Sequence, residues 1–540
     1  MNTVLERPVA VPQLNPERWL LAIPVVLYAL AVLPFVFHDV VGEPDLERTA
    51  MAILYGSASG LHESAGYHYG LGVSFGYYWA FYHLLPQAVL LGSSSLIAAI
   101  NFAGYGCAVI VIAMLALYTE RLFGVVTAVT ACILFGFSPV FLDLGTSGHP
   151  QLPGLAFTLT AAWLLTYATD TAVRGAYRVL VSVLAFAVAT VALTMRGDFV
   201  LAFPFITLVA RVGELQSRRK WLLAAGQRAG VLAAAFLTFL ILRSLAYDSG
   251  PEGDTGFVAN FFATFYKTDT VPRGLAVVVL CTGVVTTLAL VGLIFVRTAR
   301  QLRLLNAVAL SALALPSLVF WLPNSTPGRH LILVTLAIAL ALALFITRSA
   351  RPRWAIPAAA LLVISNEALA EISHGWIDQH YPWTYPSLSE RRATQAVPIG
   401  LFPLDHLAKQ ESFRVLRKEG RAFARGCSGK VLAFAEEPHY MMLSLVELDH
   451  SMRFQTVSVG DTKVFQARGA RCSVDFVEKA AAWRRDPLRT FLEAGYDAGW
   501  PIYFQESRRN PSDRTPVPQD RRYCLEKTAD GWCATDAPAG

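Results

Sequence analysis

Hydrophobic residues in this chain gather in long unbroken runs, not in the alternation of an amphipathic strand. Eleven such runs lie near 19–37, 95–118, 122–142, 150–168, 177–195, 198–212, 222–246, 273–297, 303–322, 330–347 and 354–370. A helix of roughly 20 apolar residues crosses the hydrocarbon core of a bilayer. Only helices or a closed barrel satisfy every backbone amide inside lipid, and a barrel would alternate polar and apolar positions. The pattern predicts an all-α polytopic membrane domain of about eleven transmembrane helices.

The short polar connections orient these helices. Basic residues cluster at Arg174/Arg178, at Arg211/Arg218/Arg219/Lys220, at Arg297/Arg300/Arg303 and at Arg348/Arg351/Arg353, with Arg121 a weaker member. The positive-inside rule puts these connections in the cytoplasm. A further apolar stretch, Gly76–Gly92, would reverse the side of every one of them if it crossed. It is therefore read as re-entrant or interfacial. The amino terminus is then cytoplasmic, and the connections 38–94, 143–149, 196–197, 247–272 and 323–329 face outside. The first run follows a short basic arm with Arg7 and Arg18 and ends without a small-residue cleavage site, so it reads as a retained signal anchor.

Composition agrees with a bilayer as solvent. Of 540 residues, 54% are hydrophobic and only 16% charged, and the mean hydropathy is +0.46. The net charge of +6 resides in the basic connections, which is the place of topology signals and not of a nucleic-acid surface. From Glu371 the chain turns polar, and residues 371–540 are expected to form a C-terminal extracytoplasmic mixed α/β domain after a membrane domain over 1–370. Strands are expected at Lys430–Ala435, Phe454–Val459 and Pro501–Gln505, helices at Phe476–Trp483 and Pro487–Ala494, and an exposed linker at Ser507–Asp520. Four of the seven cysteines lie in this tail. Export would favour two disulfides over four free thiols. Of the three pairings, Cys427–Cys472 with Cys524–Cys533 closes the most local loops. No pair has the CxxC spacing of a zinc or redox site.

Candidate chemistry concentrates on the outer side. The first outer loop opens with His38-Asp39-Val40-Val41-Gly42-Glu43-Pro44-Asp45-Leu46-Glu47-Arg48. Carboxylates crowded beside lipid raise one another's pKa or recruit cations, which suits a general base or a cation site. The competing reading is a solvated loop whose acids favour the first turn of a helix after Pro44. Further along, Leu61–Gly70 combines His62, His68, Tyr67 and Tyr69, residue types that bind sugars by hydrogen bonds and stacking and that also populate interfacial belts. Arg196 and Asp198 share a corner with almost no loop. Arg329 and His330 open a helix, where an Arg beside free backbone amides makes an anion site or merely snorkels to the headgroups.

The order of these features resembles the GT-C superfamily of polyprenyl-phosphate-sugar glycosyltransferases. Pro44-Asp45-Leu46-Glu47-Arg48 is similar to the acidic motif of its aminoarabinose and protein-mannosyl transferase branch, and Ser138–Gly145 to the start of the second outer loop. The resemblance covers roughly residues 19–370 in organisation, and each motif is short. It implies an inverting transfer from a polyprenyl-phosphate-linked sugar to a glycan, lipid or protein acceptor at the outer face of a bacterial inner membrane. Asp45, with Glu43 or Glu47, would be the base; Arg48, His68, Tyr69, Asp143, Arg196, Asp198, Arg329 and His330 would bind substrate. Some relatives use a divalent cation and others none, so that choice stays open. Two departures stand out. The adjacent acidic pair is split among Glu43, Asp45 and Glu47, and Gly148-His149-Pro150-Gln151 stands where many relatives carry another acid. A lipid-linked polysaccharide polymerase or ligase would carry its main loop late in the chain, whereas the acidic loop here comes first. A secondary transporter would show breaks in two matching halves. A nonenzymatic scaffold would tolerate loss of Asp45.

Overall fold

The computed structural model describes residues 16–36, 75–77, 80, 96–146, 148–170, 172–210, 214, 217–246, 271–294, 304–321, 328–349, 352–380, 418, 420–435, 438–449, 452–459, 462–478, 502–504, 523–528 and 531–536. Within them the protein is mostly helical. The helices are α1 (Ala22–Val32), α2 (Leu96–Phe123), α3 (Val125–Gly136), α4 (Pro139–Gly145), α5 (Gln151–Ala168), α6 (Gly175–Met195), α7 (Phe203–Leu208), α8 (Arg218–Ala246), α9 (Val271–Thr282), α10 (Val284–Ile294), α11 (Leu304–Trp321), α12 (Ile332–Ser349), α13 (Pro352–His380) and α14 (Pro438–Leu448). Short 3-10 turns cover Pro16–Leu21, Leu33–Phe35, Gly197–Ala202 and Gly328–Leu331.

Among the described residues four segments are long and apolar enough to cross a membrane: Glu17–Phe35, Ala99–Phe123, Gly175–Met195 and Arg218–Leu245. The pair α3 and α4 makes a fifth, bent by 74°. This is a multi-pass membrane protein. Its lipid-facing sides are apolar: α6 turns Val179, Leu180, Val183 and Leu184 outward while Ala185, Ala189 and Ala192 are buried. Small residues at the packed face let α5 and α6 approach closely, the usual means of helix association in lipid.

The runs expected to be straight spans are broken in three places, each with a local cause. The 122–142 run bends at Ser138-Pro139, where Pro139 begins α4 and the Ser138 hydroxyl donates to the Phe135 carbonyl at 2.7 Å. The 198–212 run is a 3-10 turn followed by the six residues of α7. The 273–297 run is interrupted at Gly283, whose φ of 98° no side-chain-bearing residue adopts easily. Asn366 of α13 repairs that break. Its Oδ1 accepts from the backbone N–H of Val285 at 2.7 Å and of Thr286 at 3.1 Å, capping the start of α10.

The membrane core is aromatic around α1 and α4. Tyr28 packs against Phe141 at 5.3 Å between ring centroids, and Phe141 against Phe135 at 4.6 Å. Helix α13 runs to His380, so the composition change at 370/371 falls inside a helix.

Beyond it lies a five-stranded sheet of β1 (Gly429–Ala435), β2 (Arg453–Val459), β3 (Thr462–Arg468), β4 (Cys472–Glu478) and β5 (Ile502–Phe504), in the order β2-β3-β4-β1-β5, and a hairpin of β6 (Tyr523–Thr528) and β7 (Gly531–Asp536). β1 is parallel to β4 and β5, and the other neighbours are antiparallel, as a mixed α/β arrangement requires. All three expected strands are present. The helix expected from Phe476 is contradicted through Glu478, because Val474, Phe476 and the rest of β4 pair on both edges; its remainder, the helix at Pro487–Ala494 and the linker at Ser507–Asp520 lie outside the described residues. Cys427 and Cys472 form a disulfide that ties the approach to β1 to the start of β4. Across the hairpin Cys524 is opposite Thr535 and Cys533 opposite Glu526. The side chains of Cys524 and Cys533 lie outside the described residues.

A Cβ at position 283 would sit 2.4 Å from the Asn366 amide nitrogen. Gly283→Ala is therefore expected to destabilise the protein by at least about 2 kcal/mol, from backbone strain and overpacking together. Asn366→Ala, which uncaps α10 and also removes the hydrogen bond donated to the Thr286 hydroxyl, is expected to cost roughly 1–3 kcal/mol. Thermal melts in detergent check both, and an unshifted Gly283→Ala would show that the break is not required.

Candidate functional site

Three helices present their ends to one point. Helix α6 begins at Gly175, next to Arg174, and runs 21 residues before Arg196. Helix α12 follows His330 and ends at Arg348–Ser349, and α5 begins at Gln151 and ends beside Asp170. At 1.5 Å per residue, α6 alone separates Arg196 from the basic 174–178 connection by about 30 Å. Arg196, His330 and Gln151 thus sit a bilayer's thickness from the basic connections.

Arg196 Nε donates to Asp198 Oδ1 at 3.1 Å, and Arg196 Nη2 donates to His330 Nδ1 at 3.2 Å across 134 residues of chain. Gln151 Nε2 lies 3.3 Å from the same nitrogen, and Asp198 Oδ2 is 3.8 Å away. The His330 ring stacks on Trp321 at 4.1 Å with an interplanar angle of 21°. Only 11% of the Arg196 side chain and 14% of the Asp198 side chain are exposed. Burial pushes the Asp198 carboxyl up, the Arg196 charge and hydrogen bond pull it down, and the group is held below its ordinary value.

Local backbone features build this point. Met195 ends α6, and Arg196 is extended, turning the chain into the 3-10 segment that carries Asp198. The Gln151 N–H donates to His149 Nδ1 at 3.3 Å, so His149 satisfies one of the first amides of α5. Gly154, one turn on, lets α5 close on this corner, because a Cβ there would lie 2.7 Å from the Phe199 ring and 2.9 Å from Arg196 Cβ. The Tyr77 hydroxyl donates to the Gly148 carbonyl. The 3-10 turn Gly328–Leu331 packs against α4, α9, α11 and α12, which brings it beside the helix of Asp143.

No protein-family model and no curated protein matches the sequence. Solved structures match in shape. ArnT from Cupriavidus metallidurans in the apo state aligns with a TM-score of 0.50 at 16% identity, over 78% of this chain and 84% of ArnT. The likeness to ArnT is one of fold. ArnT bound to undecaprenyl phosphate aligns with a TM-score of 0.49 at 15% identity, over 78% of this chain and 84% of that one. The Archaeoglobus fulgidus oligosaccharyltransferase complex with Zn and sulfate gives 0.45 at 12% identity, over 79% of this chain and 61% of its own.

Within this fold, the structure brings together Arg196, Asp198 and His330 of the expected binding residues. Asp143 sits half-buried on α4. Glu43, Asp45, Glu47, Arg48, His68 and Tyr69 lie outside the described residues, as does the Arg329 side chain. Gln151 and Trp321 were not singled out from sequence as binding residues. Gln151 was visible only as a departure where relatives carry an acid, and Trp321 as one more apolar residue near the end of a run. Among the described residues no three His, Cys, Asp or Glu side chains gather as a metal site.

The opposite ends of the helices carry ion pairs of another kind. Arg228 pairs with the buried Glu214 and donates to the carbonyls of Ile206 and Val209. Arg121 pairs with Asp170 and lies 4.3 Å over the Tyr167 ring. These fasten connections between helices.

Because Asp198 titrates below the ordinary carboxylate pKa of about 3.9, its contribution to stability is full above that value and is lost as pH falls below it through the lowered folded pKa. Asp198→Asn is expected to lower stability at pH 7 by about 1–3 kcal/mol and to remove that acid-side loss. Melting temperatures of both proteins between pH 7 and pH 3 check this; parallel profiles would show that the pair is energetically silent.

Proposed function

We propose that this protein is a membrane glycosyltransferase that transfers a hexose or pentose from a polyprenyl-phosphate donor to a glycan, lipid or protein acceptor. The observation that carries the reading is the meeting of Arg196, Asp198 and His330, from chain segments far apart, at one end of a bundle with the GT-C fold. In this reading the chain makes about eleven spans in a bacterial inner membrane, with residues 1–370 the membrane domain, the amino terminus cytoplasmic and residues 371–540 outside. The Cys427–Cys472 disulfide supports an oxidising compartment for the last.

The electrostatics define the labour of each residue. With a neutral imidazole, the Arg196–Asp198–His330 group has no net charge, so it offers directed donors but little field. A phosphate at this place would take its compensating charge from Arg329, the neighbour of His330, and its orientation from the group. Asp45, with Glu43 or Glu47, would remove the proton from the acceptor hydroxyl as it attacks the anomeric carbon. The bond to the polyprenyl phosphate breaks in the same inverting displacement, and the developing charge on the leaving phosphate is met by Arg329 and His330. Arg48, His68, Tyr69 and Asp143 would surround the sugar and acceptor. A divalent cation at the acidic loop is compatible with this scheme and not demanded by it.

Membranes supplied with labelled polyprenyl-phosphate sugars test the proposal. Asp45→Asn is expected to slow transfer by a factor of about 10²–10⁴, and Arg329→Ala by about 10²–10³. Equal transfer by wild type and both variants would remove the proposed site.

A further inference from the structure

His330 is approached at a single nitrogen by three groups from two parts of the chain. Arg196 Nη2 stands 3.2 Å and Gln151 Nε2 3.3 Å from Nδ1, while Asp198 Oδ2 is 3.8 Å away, beyond hydrogen-bond length. A guanidinium nitrogen carries only hydrogens, so the atom it points to must offer a lone pair. That assigns Nδ1 as the unprotonated nitrogen. The Gln151 amide then turns its NH₂ to the ring, since its oxygen would set one acceptor against another. Asp198 pulls the other way, toward an imidazolium, but its Oδ1 is occupied by Arg196 Nε. Two close donors outweigh one distant acceptor.

We propose that Gln151 is a positioning residue which, with Arg196, holds His330 as the neutral, Nε2-protonated imidazole, so that Nε2–H donates to a phosphoryl oxygen of a lipid-linked phosphate. The ligand in this statement rests on the function proposed above; the tautomer does not. Trp321 stacks on one face of the ring, and with Nδ1 held toward Arg196 and Gln151 the geometry of an imidazole points Nε2 to the other edge. Gln151 itself is 1% exposed, and its Oε1 has no hydrogen-bond partner among the described residues. An apolar residue would fill that space without the unpaired acceptor. The amide is retained for what its nitrogen does. An acid at position 151 would accept where Gln151 donates and draw a proton to Nδ1. The His149-Pro150-Gln151 departure in sequence is thus a change in the protonation of a residue 179 positions away.

Nitrogen-15 spectra of the full-length protein in lipid, labelled at histidine and assigned by difference against His330→Gln, test the tautomer directly. At pH 7 wild type is expected to show a bare Nδ1 and a protonated Nε2, and Gln151→Glu a protonated Nδ1. Binding of a short-chain polyprenyl phosphate is expected to weaken roughly tenfold in Gln151→Glu and in Gln151→Met. Gln151→Met should cost nothing more once His330 is already Gln, since it acts through that ring. An imidazolium or Nδ1–H form in wild type, or nitrogen signals unmoved by Gln151→Glu, would overturn the proposal. The expected tautomers with phosphate binding indifferent to every variant would overturn the phosphate role alone and leave the positioning of His330 supported.

Discussion

A guanidinium enclosed at the end of an apolar bundle has to be compensated, and that requirement organises this structure. Arg196 is nearly enclosed, and its charge is met by Asp198 two residues on and by the ring of His330 from a distant helix. Leaving it unpaired would cost several kcal/mol. Asp198 keeps the charge paired within the corner, and separation of the ends of α6 and α12 would leave a buried Arg196 donor without its His330 acceptor. The same economy holds at the other ends, where Arg228 is matched by Glu214 and by two carbonyls at the close of α7. Between these charged seams most contacts are aromatic and aliphatic, with a few directed hydrogen bonds such as those of Asn366 and of Thr282 with Thr335. The apolar middle holds the helices together, and the polar ends decide their register.

That division explains what could be read from the chain without coordinates. Long apolar runs and basic connections report solvent and direction, both properties of a segment on its own. The spans at Trp19, at 95–118, at 177–195 and at 222–246 correspond to helices long enough to cross, and the strands at 430–435 and 454–459 were legible from alternation. The break at Gly283 was not, because one glycine in an apolar run is common and its repair comes from Asn366, 83 residues later. Residues from Phe476 read as helical because their apolar spacing suits either structure, and pairing with β1 and β3 decided for strand.

The site divides in the same way. Arg196, Asp198 and His330 were legible because charge beside lipid is rare and needs a reason. Gln151 was not, since an amide carries no charge and sat where an acid was expected. Its partner is set by the fold, as is the stacking of Trp321 on the imidazole. Asp143 was placed by resemblance, and the structure puts α4, which carries it, against the turn of His330.

The interruption between α9 and α10 has a bearing on how depth is measured in this protein. A continuous span is positioned by its two interfacial ends, so whatever sits at its tip rides on the thickness of the surrounding lipid. Here the start of α10, just past the break, is spliced to the bundle interior by an amide from α13, and α9, on the other side of the break, packs on the turn that holds His330. The height of that turn is gauged from inside the protein. A thicker or thinner bilayer can tilt the outer helices while the distance from the splice to the His330 turn stays the same.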